Sequence, residues 1–186
     1  ISGSMAGIDI LGKLYTWGDA TYGQLGNGTS TTHRSAPTQI LTTSSFTFVA
    51  GSQAFFNYGY TAAVTTAGAV YVWGDNNAAG SYPGRLGNNS TISVSTPVLA
   101  FALATSATRL GLDGYGIKVG TTGAAPTMYS GGYNGQGQVG DNTTVNKSSP
   151  ILLNSGYRSL LSPTPVFSTP YQMSGLITSP VTSSFT

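Results

Sequence analysis

The chain has 186 residues, a formal net charge of +2 and an apolar fraction of 39%, enough for one folded domain with a core. Charged residues make up only 6%, against roughly 25% in ordinary domains, and both Cys and Glu are absent. Scattered cations build no field that would gather nucleic acid or anionic lipid, the missing thiols exclude disulfides and thiolate metal sites, and no apolar run is long enough for a membrane-spanning helix.

The first strand-like run is Leu14-Tyr15-Thr16-Trp17, closed by Gly18-Asp19. Its β-branched and aromatic content predicts a strand, and the glycine suits a tight backbone turn. A glycine turn follows, Gly23-Gln24-Leu25-Gly26, and then Asn27-Gly28, which reads as a hairpin turn with positive φ at both central residues. Pro37 introduces the apolar pair Ile40-Leu41, and residues 46–51 and 61–65 predict two further strands. Then the phrase recurs: Val70-Tyr71-Val72-Trp73-Gly74-Asp75, the turn Gly84-Arg85-Leu86-Gly87, and Pro97 ahead of Val98-Leu99. Looser strands are expected at 109–112 and 115–119.

The third copy is degraded. It reads Met128-Tyr129-Ser130-Gly131-Gly132-Tyr133, followed by Gly137-Gln138-Val139-Gly140 and by Pro150 before Ile151-Leu152-Leu153. Trp17 and Trp73 stand 56 residues apart, and Gly131 holds the equivalent place 58 further on. A period of this length with strand content indicates stacked repeats, because one such unit cannot bury its apolar face alone. About four short antiparallel strands per period is the blade of a propeller. Arg158-Ser159-Leu160-Leu161 opens a fourth period that is not completed. The expected organisation is an all-β repeat domain over 1–161 and a Pro/Ser/Thr-rich extended C-terminal arm over 162–186. The arm's spaced aromatics Phe167, Tyr171 and Phe185 suit docking on a neighbour.

Strand, Tyr-x-Trp-Gly-Asp, Gly-Gln-Leu-Gly-Asn and a later proline together resemble the regulator of chromosome condensation repeat, over roughly residues 6–161. The resemblance implies β-propeller blades, which in that family close as rings of seven. With about three blades the ring is incomplete. The chain is either a segment of a longer protein, or completes itself through other subunits, or forms a short arc supported by partners that cover its open sheet edges and blade faces. Members include a chromatin-binding guanine-nucleotide exchange factor, ubiquitin-ligase modules, a secreted β-lactamase inhibitor and bacterial and phage surface proteins. The repeat is a scaffold and does not name a task. Seven Lys and Arg and five Asp are too few for the charged face that exchange activity would need.

Catalytic constellations are missing from the sequence. His33 is the single histidine, in a Thr-Thr-His-Arg-Ser loop, and the aspartates Asp9, Asp19, Asp75, Asp113 and Asp141 are isolated. Asp19, Asp75 and Asp141 recur beside Asn27, Asn88 and Asn142, where turn chemistry outweighs calcium ligation. Trp17, Trp73, Tyr15, Tyr71 and Tyr129 are expected in core or inter-blade packing, with sugar stacking the lesser reading. Asn-x-Ser/Thr triplets are as frequent as chance gives in this composition.

The sequence therefore predicts a non-enzymatic structural or assembly protein without cofactor or metal. It would pack against other protein subunits as a homo-oligomer or within a larger assembly. A virion component is expected, such as a phage capsid decoration, tail or fibre module. The alternative is an extracellular or cell-surface adhesin or inhibitor using the loops of one propeller face, with a protein or glycan ligand. The residues expected to carry the repeat are Tyr15, Trp17, Gly18, Gly23, Leu25, Gly26, Pro37, Tyr71, Trp73, Gly74, Leu86, Gly87, Pro97, Tyr129, Gly132, Gly137, Val139, Gly140 and Pro150.

Overall fold

Each glycine-terminated run of the repeat forms one strand of a separate antiparallel sheet. The computed structural model describes residues 3–53, 59–77, 80–102, 107–112, 115–121 and 127–155. The first sheet holds β1 (Ser4–Ile8), β2 (Leu14–Gly18) and β3 (Arg34–Ile40). In the second, β4 (Phe46–Gln53), β5 (Gly59–Thr65), β6 (Ala69–Gly74) and β7 (Val94–Ala102) meander in chain order. The third repeats that order with β8 (Ala107–Leu112), β9 (Gly116–Thr121), β10 (Thr127–Gly132) and β11 (Lys147–Ser155). All described strands pair antiparallel. These are three propeller blades. The first shows three strands among the described residues where the sequence predicted about four.

Register makes the blades superimposable. Ser4, Tyr60 and Gly116 pair with Gly18, Gly74 and Gly132 respectively. One position on, Met5, Thr61 and Ile117 face Trp17, Trp73 and Gly131. In every blade the pairing to the outer strand slips just before the closing glycine, at Thr16/Gly18, Val72/Gly74 and Ser130/Gly132. Gly18, Gly74 and Gly132 have φ of 98°, 109° and 119°. A Cβ there would stand 2.2 Å from Gly3 O, 2.6 Å from Tyr60 Cα and 2.3 Å from Tyr115 O. The bulge and close approach of backbones therefore require glycine.

The core lies between blades. Leu14, Ile40, Phe46, Ala63 and Trp73 fill the seam between the first and second sheets. Tyr60, Ala62, Val64, Val70, Val72, Leu86, Leu110, Leu112, Ile117 and Val119 fill the second seam. Because the middle blade is covered on both faces, every residue of β5 is buried. That explains why Tyr60-Thr61-Ala62-Ala63-Val64 reads as a continuous small-apolar run instead of an alternating one.

Asn27-Gly28 departs from its expected hairpin. Gly28 has φ 84°, but Asn27 is outside the positive-φ set. Asn27 instead accepts from Thr29 N–H (3.3 Å) and donates to Thr32 O (3.2 Å), bracing a long connection from β2 to β3. Its side chain outcompetes the tight turn because it can satisfy local backbone groups. The 158–161 segment and the arm residues Phe167, Tyr171 and Phe185 lie outside the described residues.

Candidate functional site

The glycine turns hook each blade onto the next. Their local form repeats. Gly23, Gly84 and Gly137 donate to the carbonyls of Ala20, Asn76 and Asn134, at 2.8, 3.0 and 3.0 Å. Gly26, Gly87 and Gly140 then donate to Gly23, Gly84 and Gly137, at 3.0 to 3.1 Å. Gly28 N–H reaches across to Ser95 O (2.9 Å), and Asn89 N–H to Ser148 O (2.8 Å), so the same hook joins blades one to two and two to three. Gly23 and Gly84 lie flat on those serines, where an added Cβ would be 2.8 and 3.0 Å from the serine Cα atoms.

Behind the hook, the first seam is polar at one point. The Gln24 carbonyl accepts both Trp73 Nε1–H (2.8 Å) and Thr61 Oγ1–H (3.0 Å), all buried. A Cβ on Gly26 would meet Trp73 Nε1 at 2.9 Å and Pro97 Cγ at 3.1 Å. The second seam reaches the same fit differently. There Gly131 replaces the tryptophan, and Ile117 replaces the threonine opposite it. A Cβ on Gly87 would meet Ile117 Cγ2 at 2.7 Å and Pro150 Cγ at 2.9 Å. One isoleucine occupies space that Trp73 fills in the preceding seam. Tyr60 OH supplies the polar link, donating to Gly116 O at 2.7 Å.

Each turn is fixed by an internal network. Asn76 Nδ2 donates to Ser90 O and Ile92 O, and its Oδ1 accepts Leu86 N–H at 2.8 Å. Asn134 does the same with Thr143 O, Val145 O and Val139 N–H. The first turn has Ala20 there. The backbone N–H at this position is capped by His33 Nδ1 (3.0 Å), Ser93 Oγ (2.9 Å) and Asn146 Oδ1 (2.7 Å) in the three blades. His33 is thus the first blade's capping side chain, and its Nδ1 lies 3.0 Å from Asp19 Oδ1.

The carboxylates serve the same turns. Asp19 Oδ2 accepts Gln24 Nε2–H at 3.2 Å, whereas Asp75 pairs with the fully buried Arg85 guanidinium. Arg85 Cζ sits 5.1 Å from the centre of the Tyr60 ring. Tyr133 holds the corresponding place in the third blade, and Gln138 Nε2 is left buried without a partner. Partial burial pushes the Asp19 carboxyl up, but hydrogen bonds from Thr21 and the neighbouring His33 leave it below the ordinary value. Hydrogen bonds from Thr143, helped by Lys147 at 3.0 Å, hold Asp141 far below it. The turn reading of these aspartates fits their contacts, and no cluster of three metal-ligating side chains occurs among the described residues.

Two features were not singled out in the sequence. Tyr82 packs edge-on against Tyr115 and Tyr133, with ring centres 5.4 and 4.9 Å away, while Tyr115 and Tyr133 stack at 5.9 Å. The trio ties the second blade's turn to the third blade. Although Tyr133 sits at a repeat position, the other blades hold Asp19 and Asp75 there, so the aromatic grouping has no repeat signature. The Asp75–Arg85 pair was equally hidden, because Arg85 occupies a position held by Gln24 and Gln138 elsewhere.

In the first and third blades, several repeat positions are less covered than their counterparts in the middle blade. Trp73 is fully buried, yet Trp17 is half-buried and its neighbour Met5 is 57% exposed. Trp17 was expected in core or inter-blade packing; no blade covers its outer face among the described residues. Ser35 and Pro37, equivalent to Ser95 and Pro97, are exposed as well. At the far end Gly137 and Gly140 are exposed, whereas Gly23, Gly26, Gly84 and Gly87 are all buried. A Cβ on Gly137 or Gly140 would find nothing nearer than 4.0 and 3.6 Å.

The regulator of chromosome condensation (RCC1) repeat family model matches residues 12–55, which span the first glycine turn and its flanking strands. The E3 ubiquitin-protein ligases HERC2 of Mus musculus and Homo sapiens are each 31% identical over 160 residues, covering 84% of this chain. The chain spans only 3% of their length. Among solved structures, human WBSCR16 superimposes over 81% of the chain at TM-score 0.62 and 17% identity, covering 37% of that protein. Yeast RCC1 (Prp20), solved with Kap60, superimposes over 81% at TM-score 0.64 and 12% identity, covering 35% of its own chain. With three Gly-x-x-Gly hooks, their strands and these similarities, the chain belongs to the RCC1 repeat family.

Proposed function

We propose that the chain is a non-enzymatic packing module that works through protein–protein contact, as a component of a virion such as a capsid decoration, tail or fibre protein. One observation carries this reading. The described histidine and aspartates are engaged in holding turns, while Met5, Ser35, Pro37, Gly137 and Gly140 of the repeat are exposed. His33 caps a backbone amide, and the aspartates Asp19, Asp75 and Asp141 brace turns. The charge-poor surface adds support, because a surface with little like-charge repulsion tolerates dense packing.

Protein partners fit the repeat's wider use. Yeast RCC1 is described bound to Kap60, and with binding properties toward Gsp1p and histones. Those partners belong to that protein. For this chain the proposed partners are other subunits of its own assembly. The second reading, an extracellular adhesin or inhibitor, takes its support from the half-buried tyrosine trio at one end of the second and third blades. Such rings could stack on a glycan or a protein loop.

Density-gradient sedimentation of native source material tests the proposal. The chain should travel with particles at fixed stoichiometry. Recovery only as a free species would overturn the virion role, and specific retention on a glycan array would favour the second reading.

A further inference from the structure

We propose that His33 is a proton-operated latch on the first glycine turn: neutral, it caps the Ala20 amide, and protonated, it gives up that amide and pairs with Asp19. The second blade supplies the comparison. There Ser93 Oγ accepts Asn76 N–H at 2.9 Å and donates to Asp75 Oδ1 at 2.9 Å. One hydroxyl serves the amide and the carboxylate together, because it carries a proton and lone pairs at once.

His33 Nδ1 stands where that hydroxyl stands, with Ala20 N and Asp19 Oδ1 each 3.0 Å away. A ring nitrogen holds either a lone pair or a proton. With the lone pair, it accepts Ala20 N–H and faces Asp19 Oδ1 with no hydrogen between them. With the proton, it donates to Asp19 Oδ1 and Ala20 N–H loses that acceptor. The two neighbours make opposite demands on one atom, and protonation decides between them.

The surroundings leave the choice to the solvent. The His33 side chain is 62% exposed, so protons reach it directly. The charged groups beside it are Asp19, at the end of β2, and Arg34, next along the chain, whose Nη1 donates to Thr38 Oγ1 at 3.2 Å. Tyr22 lies in the same turn, its N–H donating to Gln24 Oε1 at 2.7 Å. The facing stretch of the second blade, Ser93-Val94-Ser95, brings no charge. The latch is particular to the first turn, since the third blade caps the same amide with Asn146 Oδ1, which does not titrate. Ala20 is fully buried and its carbonyl accepts Gly23 N–H at 2.8 Å, so the released amide lies at the root of the hook. One bond replaces another, and the change is therefore read locally.

Solution NMR of the full chain between about pH 8 and 5, the range in which histidines change charge, tests the latch. The protection factor of the Ala20 amide, corrected for intrinsic exchange, should fall about tenfold as one hydrogen bond is lost, with the midpoint of the His33 ring protons. The equivalent amides of Asn76 and Asn134 should keep their protection. His33→Ser rebuilds the second blade's arrangement and should hold Ala20 protection constant across the range. Constant Ala20 protection in the wild type, an equal fall in His33→Ser, or a parallel fall at Asn76 and Asn134 would each overturn the proposal.

Discussion

Replacing Trp73 by glycine removes the first seam's principal side chain, and the third blade shows how that loss is offset. An aromatic side chain buries about 150–250 Å², so at about 25 cal/mol per Å² its removal forfeits about 4–6 kcal/mol. Trp73 is fully buried and also donates to Gln24 O, and that lost bond adds about 1 kcal/mol. Domains are stable by about 5–15 kcal/mol, so Trp73→Gly should bring the protein close to unfolding. Thr61→Ile alone should cost about 1–3 kcal/mol, since it deletes the Thr61 bond to Gln24 O and crowds the adjacent indole. The double variant recreates the pairing of Ile117 with Gly131. Isoleucine then enters the space vacated by the indole, and the two changes should couple favourably by about 1–3 kcal/mol. Urea titration of wild type, both single variants and the double, compared at constant m-value, measures the coupling. If the double costs as much as the singles together, or more, then Ile117 does not substitute for the tryptophan and the account of the second seam is wrong.

Three further outcomes follow from the same geometry. Gly26→Ala should destabilise by more than 2 kcal/mol through the Trp73 contact and positive φ together, and Gly137→Ala by only about 1 kcal/mol from backbone strain; chemical denaturation of each separates them. Asn76→Ala should cost about 3 kcal/mol, because it strands the Leu86 N–H and the Ser90 and Ile92 carbonyls in the second turn, and hydrogen exchange at Leu86 should rise with it. Stability should also fall at acid pH. Asp19 and Asp141 have folded-state values below 3.8, so their contribution is complete above that pH and is lost as pH drops through the lower folded values. Thermal melts from pH 6 downward should decline beginning near pH 4, and Asp141→Asn should flatten that decline.

The blades were legible because the physics that makes a blade is local and repeated. Tyr71 and Trp73 mark a strand, Gly74 its bulge, Gly84 and Gly87 the hook, and Pro97 the outer strand; each is a residue type that one backbone geometry demands. The tandem spacing converted those marks into stacked sheets. Other features depended on residues far apart in sequence. Ile117 carries no sign that it stands in for a tryptophan 44 positions earlier, because the compensation is one of volume across a seam. Arg85 looked like a turn residue, since only the fold brings Asp75 and the Tyr60 ring around it. Asn27-Gly28 misled because the asparagine side chain met the carbonyl of Thr32, a partner that a dipeptide rule does not consider.

In the middle blade both faces are spent, and β5 is buried throughout. The outer blades differ from it in what covers them, far less than in what they contain. Trp17 repeats Trp73, and Gly137 and Gly140 repeat Gly84 and Gly87, yet Trp17 is half-buried and Gly137 and Gly140 exposed where the second set is buried. The degradation at Gly131 is confined to a seam that Ile117 already fills. The first blade carries the tryptophan and the Ser-x-Pro stretch, and the third carries the two glycines, so the repeat's packing residues recur even where Gly131 departs from them.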